Sequence, residues 1–316
     1  MKAHHPETGY EGLYDVFGKS RQGWYQADRE AESRAEDNGF ILSEVEKLRT
    51  TQPRLGARKL HYLLQDRLSI QGVKIGRDAL LNLLRTNGLL IRRRKRFRPQ
   101  QTDGKGERIY PDLRKELEIK KLNQLWSADI TYLRLRTAAR FCYATLVVDE
   151  KSHRIVGYHV ATDMTASETR KALERAVKAQ VPSEGKLGNT LIFHTDRGSQ
   201  FKSVHVRQFL HQYEIQPSMS EAGKSEENPV SERLNGILTD ELRVGEVFDR
   251  VEHAQSVWAQ AVHIYNTQRP HLSCNLLTSE QALSSLRILC QLFYVFIPFT
   301  CQLILGRDLR RILDTL

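Results

Sequence analysis

The chain has 316 residues, enough to bury a full hydrophobic core and to form two or more domains. Its 48 Lys+Arg against 38 Asp+Glu give a formal charge of +10, and the excess is uneven: residues 1–120 carry 25 of the basic and 17 of the acidic side chains (+8), against +2 for the remainder. A basic front half on a near-neutral back half points to a polyanion-binding module joined to something else. The four cysteines (Cys142, Cys274, Cys290, Cys301) are scattered with no C-x-x-C, which argues against a disulfide framework and a zinc site. The start, "MKAHHPETGYEG", lacks the apolar segment of a secretory signal, so a reducing cytosol is expected.

Residues 1–100 read as helical and basic. In "GLYDVFGKSRQGWYQ" (12–26), Gly18 breaks a short apolar segment and Ser20 is placed to cap a helix carrying Arg21, Trp24 and Tyr25. "ILSEVEKLRT" (41–50) puts Ile41, Leu42, Val45 and Leu48 on one helical face. "GARKLHYLLQDRL" (56–68) and "GRDALLNLLRTNGLL" (76–90) repeat the pattern, the latter closing on Asn87-Gly88, a natural helix stop. Two such helices across a short Gly-containing connection (69–75) suit a helix-turn-helix as well as an ordinary bundle. The run "RRRKRFR" (92–98) directly after them tips the balance toward DNA.

Residues 101–121 have linker composition, rich in Pro, Gly and charge. The pattern then changes. "LWSADITYLRL" (125–135), "RFCYATLVVDE" (140–150) and "RIVGYHVAT" (154–162) are rich in β-branched and aromatic residues and read as three consecutive antiparallel strands. "SETRKALERAVKAQ" (167–180) reads as a helix capped by Ser167, "NTLIFHTD" as a fourth strand, "SVHVRQFLHQYE" as a helix and "IQPSMS" as a fifth strand. The order is α+β, an α/β class with a mixed five-stranded sheet and flanking helices.

Three carboxylates stand out. Asp196 ends strand four, where the residues past an apolar run line the site of an open α/β sheet. Alone, a turn aspartate bonding its own backbone beside Gly198 explains it as well. Asp129 sits in mid-strand one, an awkward place for an unpaired charge, and alternation puts it on the face opposite Ile130. If strands one and four are neighbours the two carboxylates meet, repel, and raise one pKa unless a cation lies between them. A hard divalent ion such as Mg²⁺ is bound by such carboxylates and phosphate oxygens. The third, Glu232, lies in "ENPVSERLNGILTDELR" (227–243), where Asn228 can cap and Pro229 suits the first helical position. Asn235, Gly236, Thr239 and Arg243 then follow Glu232 along one face, at i+3, i+4, i+7 and i+11. Thirty-five residues separate Asp196 from Glu232.

The triple Asp129, Asp196 and Glu232, in "WSADITY", "HTDRGSQF" and "ENPVSERLNGIL", resembles the DDE core of retroviral-integrase-like transposases. More narrowly it resembles the downstream-frame product of bacterial insertion sequences with two overlapping frames. "YNTQRPHL" (265–272) is similar to that group's closing motif, and "RLGARKL" (54–60) and "NGLLIRRRKR" (87–96) to its DNA-binding part. The resemblance covers about residues 12–283. It implies an RNase H-like core over 122–285, preceded by a helix-turn-helix region over 1–100 and the linker 101–121. It also implies two Mg²⁺ or Mn²⁺ ions on the three carboxylates, and cleavage and strand transfer at element ends. Its implied partners are element-end and target DNA, further copies of the chain on DNA, and an upstream-frame protein or frameshift fusion. Arg58, Arg92, Arg93, Arg94, Lys95, Arg96, Lys224, Asn228 and Arg243 are then expected to contact DNA, with His194, Arg197, Ser199 and Gln200 around the carboxylates. A bacterial cytoplasmic protein acting at the nucleoid is expected.

Departures bear on activity. The family carries a lysine seven residues after its catalytic glutamate, facing DNA; Thr239 stands there. The segment "ILCQLFYVFIPFTCQLIL" (288–305) within an atypical apolar tail (286–316) approaches membrane-span length, but Gln291, Pro298, Thr300 and Gln302 interrupt it, so no membrane partner is expected. Two rival readings are an inactive DNA-binding regulator and an RNase H-like nuclease without strand transfer.

Overall fold

The computed structural model describes residues 20–91, 109–136, 141–180, 190–221, 229–242 and 247–286. The chain divides into two compact units, Met1–Arg93 and Arg94–Leu316.

The first unit is helical. Helix α1 (Arg21–Thr51) opens at Ser20, whose Oγ accepts the Gly23 N–H at 3.1 Å, as the sequence suggests. It runs unbroken for 31 residues, merging two helices that the apolar pattern shows as separate segments. Its buried face is confined to the C-terminal half, where Ile41, Val45 and Leu48 pack with Leu60, Leu64 and Leu68 of α2 (Ala57–Ile70) and Leu80 and Leu84 of α3 (Arg77–Thr86). The four-residue spacing in α2 and α3 aligns those leucines in single rows. Buried Glu44 joins α1 to α2, accepting from Lys47 (2.6 Å) and Arg67 (2.9 Å), which hold its carboxyl below the usual range. Helix α3 stops at Asn87-Gly88 as expected, with Gly88 in the left-handed region (φ +66°) and Leu89 N–H returning to the Leu84 carbonyl at 2.8 Å.

The second unit is built on a five-stranded sheet in the order β3-β2-β1-β4-β5. Strands β1 (Leu125–Arg134), β2 (Phe141–Asp149) and β3 (Ile155–Ala161) form an antiparallel meander. Helix α4 (Ala166–Gln180) leads to β4 (Ile192–Thr195), parallel to β1, and α5 (Val204–Gln212) to β5 (Gln216–Met219), parallel to β4. This is the mixed RNase H-like sheet that the resemblance implies. After it come α6 (Pro229–Gly236), a π-helical turn (Ile237–Glu241) and α7 (Val251–Thr267). Helix α4 begins at Ala166, two residues before the first helical position that a Ser167 cap implies, so Ser167 is not its cap: it lies in the first turn, its hydroxyl 3.0 Å from Thr165 Oγ1.

Both sheet faces are covered. On one, Trp126, Ala128, Val147 and Val156 pack against Ala172, Leu173, Ala176 and Val177 of α4 and against α5. On the other, Leu133, Ala144, Leu146 and Val148 meet Leu234, Ile237 and Leu238, and Trp258 and Val262 of α7. Burial on both faces explains why β2 reads as a nearly continuous apolar run. Residues 287–316, with most of the atypical tail, lie outside the described residues; among those described, no helix is long and apolar enough to cross a membrane.

Gly157 on β3 sets the closeness of α4. A Cβ there would fall on the Ala172 carbonyl oxygen and lie 2.7 Å from Ala176 Cβ. Both obstacles are held by helix packing, so neither can swing aside. Gly157→Ala is expected to destabilise the second unit by about 3 kcal/mol, the upper range for overpacking, read as a lower urea midpoint for its unfolding. A midpoint within error of wild type would show that α4 can retreat freely.

Candidate active site

The site forms where β1 and β4 run side by side. Their parallel register pairs Leu125 with Ile192, Trp126 with Phe193 and Ser127 with His194. Two residues further, the same register sets Asp129 across from Asp196, just beyond the end of β4. Side-chain period two puts both carboxylates on the face that Ser127 and His194 share.

Asp129 is half-buried and fully engaged. Its Oδ1 accepts the Ile130 N–H at 2.8 Å and its Oδ2 accepts Asn235 Nδ2 at 2.7 Å. Its pKa is nonetheless pushed up to about 7, first by burial and then by the charge of Asp196, with Glu232 adding to the rise. The bonds from Ile130 and Asn235 oppose this without overcoming it. Asp196, exposed at its surface, also lies above the ordinary carboxylate range, first because of desolvation of its carboxyl; the Gly198 bond and the Lys202 charge act against that rise.

Asp196 takes the turn arrangement. Its Oδ1 accepts the Gly198 N–H at 2.9 Å, the turn arrangement that an Asp-x-Gly favours. A Cβ on Gly198 would come 3.0 Å from Asp196 Oδ1, tight against the turn, and 2.8 Å from Gln200 Oε1, the end of a side chain that can move aside. The turn fixes one carboxylate oxygen while the strand register brings the group to Asp129.

Glu232 lies in the first turn of α6, exposed, and close enough for its charge to act on Asp129. Asn235, one turn on, is buried and ties α6 to β1 through Asp129. Among the described residues, no three His, Cys, Asp or Glu side chains form a ready-made ligand cage. Glu232 is thus in electrostatic reach of Asp129 rather than assembled with the two aspartates.

The other expected residues are distributed unevenly. His194 is fully buried, its Nδ1 2.9 Å from Ser218 Oγ on β5, so it braces the sheet beneath the aspartates. Arg197 is half-buried and donates from Nε to the Ser220 carbonyl at 3.1 Å. Ser199 is exposed and Gln200 half-buried in the loop after Asp196. Arg58 is exposed in the first turn of α2, in the other unit. Arg92, Arg93, Arg94, Lys95, Arg96, Lys224, Asn228 and Arg243 lie outside the described residues.

Two residues escaped the sequence reading. Asn235 was placed on the Glu232 face but given no task, though its i+3 spacing was the available signal. Lys202, six residues beyond Asp196, acts on that carboxylate through its charge. The alignment of Thr239 with Glu232 needs correction. That alignment assumes a regular α-helix, whereas the chain enters a π-helical turn at Ile237. Thr239 is half-buried there and donates its hydroxyl to the Asn235 carbonyl at 2.7 Å.

Several known proteins are similar to this chain. Residues 120–225 match the family described as integrase core domain, and residues 213–278 match a second family of the same description. The insertion element IS600 uncharacterized 31 kDa protein of Shigella sonnei is 30% identical over 263 residues, spanning 82% of this chain and 93% of its own. The chain belongs to the insertion-sequence transposases with an integrase core. The transposase InsF for insertion sequence IS3A of Escherichia coli K12 is 26% identical to this transposase over 290 residues, 89% of the chain and 96% of its own. A putative transposase for insertion sequence element IS986/IS6110 from Mycobacterium tuberculosis is 36% identical over 154 residues, 48% of the chain and 54% of its own. Among solved structures, the HTLV-2 integrase catalytic core domain in complex with magnesium overlays 55% of the transposase and 97% of itself, at 20% identity and TM-score 0.39.

The raised Asp129 pKa has a consequence for stability without divalent ions. The folded transposase holds this proton more tightly than the unfolded chain, whose value is near 3.8. The contribution is therefore fully present below about pH 4 and is lost as pH rises through about 7. Asp129→Asn removes the ionisation. At pH 8 in EDTA the variant is expected to exceed wild type by about 2 kcal/mol, roughly half the unscreened value of such a shift. Below pH 4 the advantage should vanish. Equal stabilities at pH 8 would mean that Asp129 ionises freely in the folded protein.

Proposed function

We propose that this transposase cuts DNA at the ends of its element and joins the freed 3′ ends to target DNA, with Asp129, Asp196 and Glu232 as the ligands of two divalent ions, Mg²⁺ or Mn²⁺. The observation that carries this reading is the placing of Asp129 across from Asp196 with Glu232 nearby: Asp129 is lifted to about 7 chiefly by burial, with the charges of Asp196 and Glu232 adding to the rise. A site that opposes its own ionisation gains most from a cation, and an all-carboxylate set suits a hard one. When bound, two such ions stabilise the attacking and leaving oxygens of an in-line phosphodiester displacement.

The chain's own groups then have distinct tasks. Asp129 presents its oxygens from the middle of β1 and Asp196 from just beyond the end of β4, one held by Asn235 and the other by the Gly198 turn. Glu232 closes the set from α6. Arg197, Ser199, Gln200 and Lys202 line the loop beside Asp196, where phosphates would approach. No side chain serves as covalent nucleophile in this scheme: water attacks first, and a DNA 3′-hydroxyl second.

DNA capture falls to the first hundred residues, with α2 and α3 as the helix-turn-helix pair, exposed Arg58 on α2 and the dense run Arg92–Arg96 on phosphates. Residues 101–121 then serve as linker, 122–285 as catalytic core and 286–316 as an appended tail. Lys224, Asn228 and Arg243 add DNA contacts around Glu232, and copies of the chain assemble on the two element ends. An upstream-frame partner or fusion completes the scheme, in the bacterial cytoplasm at the nucleoid.

Asp129→Asn, Asp196→Asn and Glu232→Gln are each expected to lower cleavage and joining by about 10³-fold or more, because each removes a ligand charge and keeps the shape. Affinity for element-end DNA should change little. Gel assays on labelled end DNA in Mg²⁺ score both steps: a variant with near-wild-type activity removes that residue from the ligand set. Cuts without joined product would identify a nuclease, and binding without cuts by wild type a regulator.

Binding by the intact protein should weaken steeply with salt as basic side chains displace counterions. Neutralising Arg92, Arg93, Arg94, Lys95 and Arg96 together should lower affinity on all sequences alike and flatten the salt slope. Fluorescence anisotropy on specific and random duplexes across a salt series decides this; a loss confined to the specific duplex would contradict it.

A further inference from the structure

The segment "YNTQRPHL" (265–272) takes no part in the scheme above, yet most of its polar side chains are buried and bonded. Asn266 accepts the Ile155 N–H at 3.0 Å and donates to the Ile155 carbonyl at 3.1 Å, pairing the edge of β3 as a strand would. Tyr265 donates its hydroxyl to the His153 carbonyl at 3.0 Å. His271 Nε2 lies 3.1 Å from Ser279 Oγ, and its Nδ1 lies 3.3 Å from Arg269 Nη1. A guanidinium only donates, so His271 Nδ1 is the acceptor in that pair.

Arg269 is the centre of this network. It is 2% exposed, and its Nε (3.0 Å) and Nη2 (2.6 Å) both donate to Glu241 Oε2, while its guanidinium lies 5.8 Å from the centre of the Tyr265 ring. Glu241 closes the π-helical turn that continues α6, the helix carrying Glu232 and Asn235. Leu242 N–H reaches back five residues to the Ile237 carbonyl (3.1 Å), so the turn holds one residue more than an α-helical one. That extra residue turns Glu241 toward Arg269 while Asn235, upstream, stays on Asp129. The continuous helix is therefore held at its middle, by Asn235 to the first aspartate, and at its C-terminal end, by Glu241 to a buried arginine.

We propose that Arg269 is a positioning residue for the active site, acting through Glu241 and the π-helical turn to set the rotation of α6 and so the place of Glu232 relative to Asp129. The inference rests on the reading of Glu232 as a metal ligand. Two N–H groups of a buried guanidinium converging on one carboxylate oxygen, with a third on His271, hold that oxygen by directed bonds, which apolar packing alone does not. The π-helical turn, costly in backbone geometry and common at functional sites, is what the pair maintains.

The experiment uses the full chain and measures Mn²⁺ affinity without DNA, by water-proton relaxation, beside end-DNA cleavage in Mg²⁺. Glu241→Gln and Arg269→Lys are expected to keep the far-ultraviolet circular dichroism of wild type. Each should weaken Mn²⁺ about tenfold and lower the cleavage kcat to a similar degree with the KM for DNA unchanged, the scale of losing a group that orients a ligand. A paired Arg269→Met, Glu241→Met variant removes both charges and retains apolar volume, which protects folding; it too should bind Mn²⁺ about tenfold more weakly. Wild-type Mn²⁺ affinity in the folded variants overturns the proposal and leaves the network a purely structural one. Glu232→Gln, run alongside, separates the two failures: if it binds Mn²⁺ as wild type does, the reading of the site itself falls.

Discussion

Three consecutive pairs between β1 and β4 govern this molecule. The parallel register over Leu125–Ser127 and Ile192–His194, carried two residues further, sets Asp129 in mid-β1 across from Asp196 just beyond the end of β4. Burial first, and the neighbouring charge of Asp196 second, oppose ionisation there and lift Asp129 to about 7. Much of the surrounding structure serves to hold groups together that would otherwise separate.

The holding is done by apolar packing and by directed bonds in different places. Apolar packing secures the sheet: α4 presses on β3 at Gly157, and Trp258 and Val262 of α7 fill the opposite face. Directed bonds secure the carboxylates. Asn235 fixes one oxygen of Asp129, the Gly198 turn fixes one oxygen of Asp196, and His194 ties β4 to β5 below them. This division suits a site that must keep its geometry through a change of charge. Packing is indifferent to ionisation, whereas the bonded oxygens keep their direction in either state.

Strand and helix order was legible because each element carries its own pattern. The β-branched and aromatic runs of β1 to β3, the apolar run ending in Asp196 and the leucine rows of α2 and α3 are local signals, and the structure follows them closely. The adjacency of β1 and β4 was legible only as a condition, since pairing between distant strands leaves no local mark. The resemblance carried by the three motifs supplied what pattern alone left open. What stayed hidden has a common cause. The π-helical turn, the back-bonded Thr239 and the clasp between Arg269 and Glu241 depend on partners 4 to 28 residues apart meeting in three dimensions. Helical periodicity has no term for an inserted residue, so the i+7 alignment of Thr239 with Glu232 failed at that point. Helix α1 shows the reverse case: its middle lacks an apolar face, yet helix propensity and the Ser20 cap carry it through.

The central claim is that the three carboxylates form one electrostatic unit completed by a divalent cation. Titration of the Asp129 carboxyl by ¹³C NMR in the full chain, first in EDTA and then in saturating Mg²⁺, tests it most directly. The account predicts a midpoint near 7 without the ion, and one below the ordinary aspartate value of about 4 with it, because an adjacent cation favours the charged form. A midpoint near 4 in EDTA, or one that Mg²⁺ fails to move, would contradict it.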